Sequence, residues 1–221
     1  ATPRGRVTLG HIGAGYPYLG SYGQIVYTAP TASGFTFTGG MFSPVDNTGN
    51  YDSRSAPQVQ LQLGYASGGF KAWIGGKTQR FYAKEGTGAM PGQFTMSAAE
   101  MGACCDIDGF SLLGNVQAGR GIGILTDGDQ GDLKGVNYLV QATYALTDKL
   151  KLGLSDGLSR NRDDLASAAD FKSNSNVTAG AYYALTRSVT LAFELGQTRS
   201  KDFAGHTARL NGGSVGGIVF F

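Results

Sequence analysis

Apolar and polar side chains alternate with a period of two along residues 176–221. Val177, Ala179, Ala181, Tyr183 and Leu185 share one parity, and Thr178, Gly180, Tyr182 and Ala184 share the other. After the break Thr186-Arg187-Ser188, Val189, Leu191, Phe193 and Leu195 oppose Thr190, Ala192, Glu194 and Gly196. Strict alternation predicts strands with one apolar and one polar face, and so short a break predicts a hairpin. The plan recurs upstream. Tyr138, Val140, Ala142, Tyr144 and Leu146 oppose Asn137, Gln141 and Thr143; past Thr147-Asp148, Leu150, Leu152 and Leu154 oppose Lys149, Lys151 and Ser155. YALTDKLKL and YALTRSVTL follow one formula, as a meander of similar hairpins would.

The first half carries the same pattern less cleanly. Candidate strands run around Arg6 to Ile12, Tyr22 to Ala29 and Phe35 to Gly40, followed by a polar loop, SPVDNTGNYDSRSAP. Val59, Leu61, Leu63 and Tyr65 then oppose Gln58, Gln60, Gln62 and Gly64; a row of glutamines makes a poor core and a good wet wall. A tight turn at Ser67-Gly68-Gly69 leads to a strand with Lys71, Trp73, Lys77 and Gln79 on its polar parity. Phe94 to Cys104 is mixed on both parities, and AAEMGA also fits the start of a helix. Asp106-Ile107-Asp108-Gly109 predicts a hairpin turn, with Asp-Gly the strong pair. In the last strand Leu210 and Val215 differ in parity, so a β-bulge near Gly212-Gly213 is expected, with Arg209 on the polar face.

About twelve strands are read in all, joined by connections that alternate between short and long. Composition narrows the class. Charged residues are 15% of the chain, glycines number 36, and the formal net charge is +2, with no basic stripe for nucleic acid. No apolar run reaches the roughly 18 to 20 residues of a transmembrane helix, but a strand crosses with about 9 to 11. Short turns at one end, long polar loops at the other, an even strand count and a terminal Phe220-Phe221 fit a barrel in lipid better than a soluble sandwich. The expectation is therefore one all-β domain over residues 1–221. It would be an antiparallel up-and-down transmembrane β-barrel, closed because lipid leaves no backbone group to water.

GFTFTGGMFSP, NYLVQATYALTDKLKLGLS, AYYALTRSVTLAFELGQT and the terminal VGGIVFF resemble Gram-negative general-diffusion porins, in their later part. The resemblance implies a trimeric outer-membrane channel, a barrel of about 16 strands, and a third loop folded inward to narrow it. It also implies outer-membrane lipid and lipopolysaccharide as surroundings, small hydrophilic solutes as cargo, and no cofactor. Three arrangements fit about twelve strands: a smaller closed barrel, a barrel completed by preceding residues, or residues 1–20 as the tail of the constriction loop.

The parity opposite the apolar face names the candidate pore-lining residues: Arg6, Gln58, Gln60, Gln62, Lys71, Lys77, Lys151, Glu194 and Arg209. Their charges are mainly basic, which points to a weak anion preference. Two alternatives stand beside the channel. One is a non-conducting structural or adhesion barrel, plugged by mutual hydrogen bonds. The other is a lipid hydrolase, for which His11 and His206 are the only bases and no G-x-S-x-G motif appears. Asp127, Asp129 and Asp132 form either a solvated acidic loop or a weak divalent-cation site. Adjacent Cys104 and Cys105 are either two thiols or a strained vicinal disulfide. Their spacing with two histidines matches no zinc site, so no catalytic, cofactor or metal residue is expected.

Overall fold

The computed structural model describes residues 14–17, 23–44, 49–162 and 170–221. Its strands are β1 (Gln24–Thr28), β2 (Phe35–Phe42), β3 (Tyr51–Asp52), β4 (Gln58–Ser67), β5 (Phe70–Ala83) and β6 (Gln93–Ile107). They continue as β7 (Phe110–Arg120), β8 (Lys134–Ala145), β9 (Leu150–Asn161), β10 (Phe171–Ala184), β11 (Val189–Asp202) and β12 (Thr207–Val219). Each wall strand pairs antiparallel with the next in sequence, and β3 pairs with β5 off that path. Among the described residues β1 pairs only with β2 and β12 only with β11, so the sheet has two open edges. The expected strand at Arg6 to Ile12 lies outside the described residues. β3, a two-residue strand inside the expected polar loop, is the element that alternation missed.

Local chemistry accounts for the hairpins. Asp108 and Gly109 both take positive φ, 46° and 80°, the type I′ geometry whose twist matches the flanking strands. The Thr147 hydroxyl accepts from the amides of Lys149 at 3.2 Å and Leu150 at 3.0 Å, and Thr186 accepts from Ser188 at 3.2 Å. The repeated Tyr-Ala-Leu-Thr formula is thus a repeated turn. β6 settles its helix-or-strand ambiguity as a strand of 15 residues. It pairs with β5 on one side and β7 on the other, and two ladders outweigh a short helix-forming run.

The bulge expected in β12 is absent. Register runs unbroken from Lys201↔Thr207 to Val189↔Val219. Opposed residues point to the same face, so Leu210, opposite Thr198, faces inward. Arg209, opposite Arg199, faces outward with Phe193 and Val215 and leaves the set of inward residues. Among the described residues β12 is an edge, and it keeps a continuous ladder at the cost of one inward, exposed leucine.

The two faces differ as the alternation requires. Outward Ile74, Leu154 and Leu195 are each at least 54% exposed, whereas inward Asn137, Ser155, Ser159 and Thr178 are buried. Apolar outside and polar inside is the inverse of a water-soluble domain and the pattern of a transmembrane barrel.

Candidate functional site

The inward face carries the candidate residues, and the long loops decide what surrounds them. On β4, Gln58, Gln60 and Gln62 form one column. Gln58 Nε2 donates to Gln79 Oε1 at 3.2 Å and to Asp127 Oδ2 at 2.8 Å. Gln60 donates to Gln58, and Gln62 to Glu100 Oε1 at 3.4 Å. Lys77 lies opposite Gln60, and its ammonium sits 2.7 and 2.8 Å from the two Asp127 oxygens. With 9% and 1% of their side chains exposed, this is a buried ion pair between the wall and the loop 121–133.

That loop folds into the mouth. Asp129 accepts from the amides of Ile124 at 2.9 Å, Leu125 at 2.8 Å and Thr126 at 3.3 Å. Burial nevertheless raises its carboxyl above the ordinary carboxylate range, with the amide bonds opposing the shift. Asp132 accepts from Arg120 Nε at 2.8 Å. Neither expectation for the acidic loop therefore holds. Each carboxylate has a protein partner, and among the described residues no group of three or more metal-ligating side chains exists.

Beneath the loop an apolar cluster fills the inner wall: Tyr51, Phe81, Phe94, Met96 and Ile122. Phe81 and Phe94 stack with centroids 5.3 Å apart, and Tyr51 meets Phe94 edge-on at 4.9 Å. The Tyr51 hydroxyl donates to the Pro91 carbonyl at 3.0 Å, which ties the loop after β5 into the same plug of structure. Gly128 has φ +79°, and a Cβ there would lie 2.6 Å from the Phe81 ring, so the loop needs glycine at this approach.

Residues 14–17 reach the opposite wall. The Gly15 amide donates to Ser159 Oγ at 3.0 Å, and Ala14 is fully buried. A Cβ on Gly15 would meet the Tyr138 carbonyl oxygen at 2.8 Å. A segment that precedes β1 in sequence therefore lies along β8 and β9.

The remaining candidates spread over the wall. Lys71 faces inward opposite Cys104, near the short-turn end. Lys151 lies opposite Tyr182, whose hydroxyl donates to Glu194 Oε1 at 2.5 Å. Arg6 and His11 lie outside the described residues. Cys104 and Cys105 are free thiols; as successive strand residues they point to opposite faces. His206 Nδ1 lies 2.7 Å from Asp202 Oδ2 in an exposed rim pair. Alternation missed Glu100, because Phe94 and Met96 on the same parity make the inward face of β6 look apolar. It also missed Asp127, whose partner lies on a strand far away in sequence.

The family described as Gram-negative porin matches residues 6–202. No curated protein matches the chain. The fold is similar to the outer membrane channel DcaP of Acinetobacter baumannii, with TM-score 0.72 at 15% identity, covering 89% of this chain and 62% of that one. It is also similar to the anion-selective porin from Comamonas acidovorans, with TM-score 0.61 at 20% identity, covering 89% and 57%. The loop-L8-deletion mutant of OmpT of Vibrio cholerae gives TM-score 0.64 at 17% identity, covering 89% and 62%. The chain thus spans less than two thirds of the length of each of these proteins.

Proposed function

We propose, on the premise that the chain belongs to the Gram-negative porin family, that it forms the greater part of the wall of a water-filled channel for passive diffusion of small hydrophilic solutes and ions. Its place is the bacterial outer membrane. The observation that carries the channel is the inward face itself: amides and hydroxyls on most wall strands and a few charges on β5, β6, β9 and β11, backed by an apolar outer face. In this reading Gln58, Gln60, Gln62, Lys71, Lys77, Lys151 and Glu194 line the path, with Arg6 on the same parity by sequence. Residues 14–17 and the loop 121–133 narrow it.

The expected anion preference loses its basis. Arg209 faces outward, Asp127 neutralises Lys77, and Glu100 adds an inward carboxylate. Lys71 and Lys151, with Arg6 by sequence, then stand against Glu100, Asp106 and Glu194, so the channel discriminates little by charge. The proposal includes a homotrimer, outer-membrane lipid and lipopolysaccharide as surroundings, and no catalytic step. Planar-bilayer recording tests it. Stable ohmic conductance is expected, with a reversal potential near zero under a salt gradient. Absence of conductance from correctly inserted protein would replace the channel by the structural barrel.

A further inference from the structure

The single tryptophan of the chain sits on the inward wall of β4 to β7. Trp73 lies opposite Gly64 on β4 and Gly102 on β6. Its indole Nε1 donates to Asn115 Oδ1 on β7 at 3.2 Å. β5 and β7 stand two strand spacings apart, about 9.6 Å, so the ring crosses β6 to reach its acceptor. Gly102 makes that path possible. A Cβ there would overlap Trp73 Cζ2 and lie 2.6 Å from Cε2. The half-buried indole therefore lies along the wall, one face on glycine and the other towards the lumen. Phe81 and Phe94, the inward aromatics nearer the long loops, are buried instead.

The next inward row towards the long loops is Gln62, Gly75, Glu100 and Gln117. It stands about 6.8 Å from the Trp73 row along the strands. A cavity of about 190 Å³ opens on the wall here, lined by Thr38, Gln60, Gln62, Glu100 and Gln117 among others. Gln62 reaches Glu100 Oε1 at 3.4 Å, which is long for a hydrogen bond. Lys77, at the edge of the cavity, is neutralised by Asp127. Lys71 lies one row beyond the indole on the short-turn side. The indole thus stands between one cation and one carboxylate, and the groups around the cavity are mostly amides and a hydroxyl. Such a lining offers donors and acceptors together and no excess of either charge.

A sugar ring matches both parts. One face of a pyranose presents C–H groups, which the negative face of an indole attracts. Its rim of hydroxyls both donates and accepts, as the glutamine amides do, and a carboxylate accepts from a hydroxyl in a charge-assisted bond. A concave wall with a few convergent polar groups beside an aromatic face is the usual form of a small-molecule site. We propose that Trp73, Glu100, Gln62 and Gln117 form a saturable subsite for neutral saccharides on the inward wall. The proposal names a solute class for the channel and rests on that reading for access. Simple diffusion through a wet lumen needs no such site.

Trp73 is the only tryptophan among the 221 residues, so its emission reports the subsite directly. The test titrates maltotriose into the protein folded in detergent micelles, and a saturable change in emission is expected. Glu100→Gln should raise the midpoint roughly fivefold, because a neutral acceptor replaces a charged one. In planar bilayers maltotriose should briefly interrupt the wild-type current, and Trp73→Ala should remove those interruptions. An emission change that only grows linearly with maltotriose overturns the proposal without any variant having to fold. So does a midpoint that Glu100→Gln leaves unmoved. A tighter response to the amine spermidine, or to zwitterionic serine, would assign an ionic solute and overturn the saccharide. Saturable emission without conductance would remove the channel and leave the subsite standing. Conductance without saturable emission would remove the subsite alone.

Discussion

The inward faces of β5 to β7 and of β10 to β12 are written in the same alternating pattern, yet their surroundings are opposite. On β5 and β6 the loop end is dry. Phe81 and Met96 are fully buried under loops anchored by Lys77 and Asp127. On β10 to β12 the inward face is a string of small polar groups bonded to each other. Asn176 donates to Thr198 at 2.8 Å, Thr178 to Asn176 at 2.6 Å, and Ser200 to Asn174 at 2.7 Å. Leu210, inward on β12, is 70% exposed, while Phe81, inward on β5, is 0% exposed. Alternation assigns a side chain to a face; whether that face meets water or protein depends on which loop folds over it.

The sharpest way to break the comparison is to truncate one apolar side chain in each region. Phe81→Ala should cost about 3–5 kcal/mol, because the packed loops cannot collapse fully into the space. Leu210→Ala should stay within about 0.5 kcal/mol, since little is lost at an exposed position. Urea unfolding in micelles measures both, and similar losses would mean that the cluster is not a core.

The ion pair comes next. Lys77→Met leaves the Asp127 carboxylate buried without the ammonium that balances it, at a cost of about 3 kcal/mol. The loop then relaxes outward, and single-channel records should become larger and noisier. Lys77→Met with Asp127→Asn should recover much of the stability. A double-mutant cycle showing no coupling would detach the loop from the wall.

Outside and inside can be separated on β11. Leu191→Arg puts a charge into lipid near the short-turn end and should cost about 2 kcal/mol, whereas Thr190→Arg, turned inward, should cost less than about 1 kcal/mol. Refolding titrations that give equal costs would undo the assignment of faces.

The smallest effect is one of pH. Burial raises the Asp129 carboxyl, so the packed loop favours its protonated form. The stabilisation it contributes is complete below the ordinary carboxylate pKa and is lost as pH rises through the elevated one. Amide exchange in residues 121–133 should therefore be slower at acid pH than at neutral pH once corrected for intrinsic rates, and Asp129→Asn should flatten the difference.

Much of this was legible beforehand. The hairpin at Asp108-Gly109, the repeated threonine turns, the glutamine column on β4 and the apolar outer face all follow from residues a few positions apart. Successive strand side chains point to opposite faces whatever the strand pairs with, so a local pattern suffices. The errors fell where a distant partner decides. A bulge near Gly212-Gly213 would turn Leu210 outward, whereas the ladder with β11 keeps its register and turns Arg209 outward instead.

By itself, then, the sequence determined the strands, their turns and which side chains share a face, because backbone pleat and turn chemistry are local. Only the tertiary structure decided that Asp127 reaches Lys77, that Gly15 lies on Ser159, and that Arg199 faces Arg209. Those contacts join segments that the alternating pattern treats as independent. Their energies come from burial and charge proximity, which exist only once the sheet has curved and the loops have folded into it.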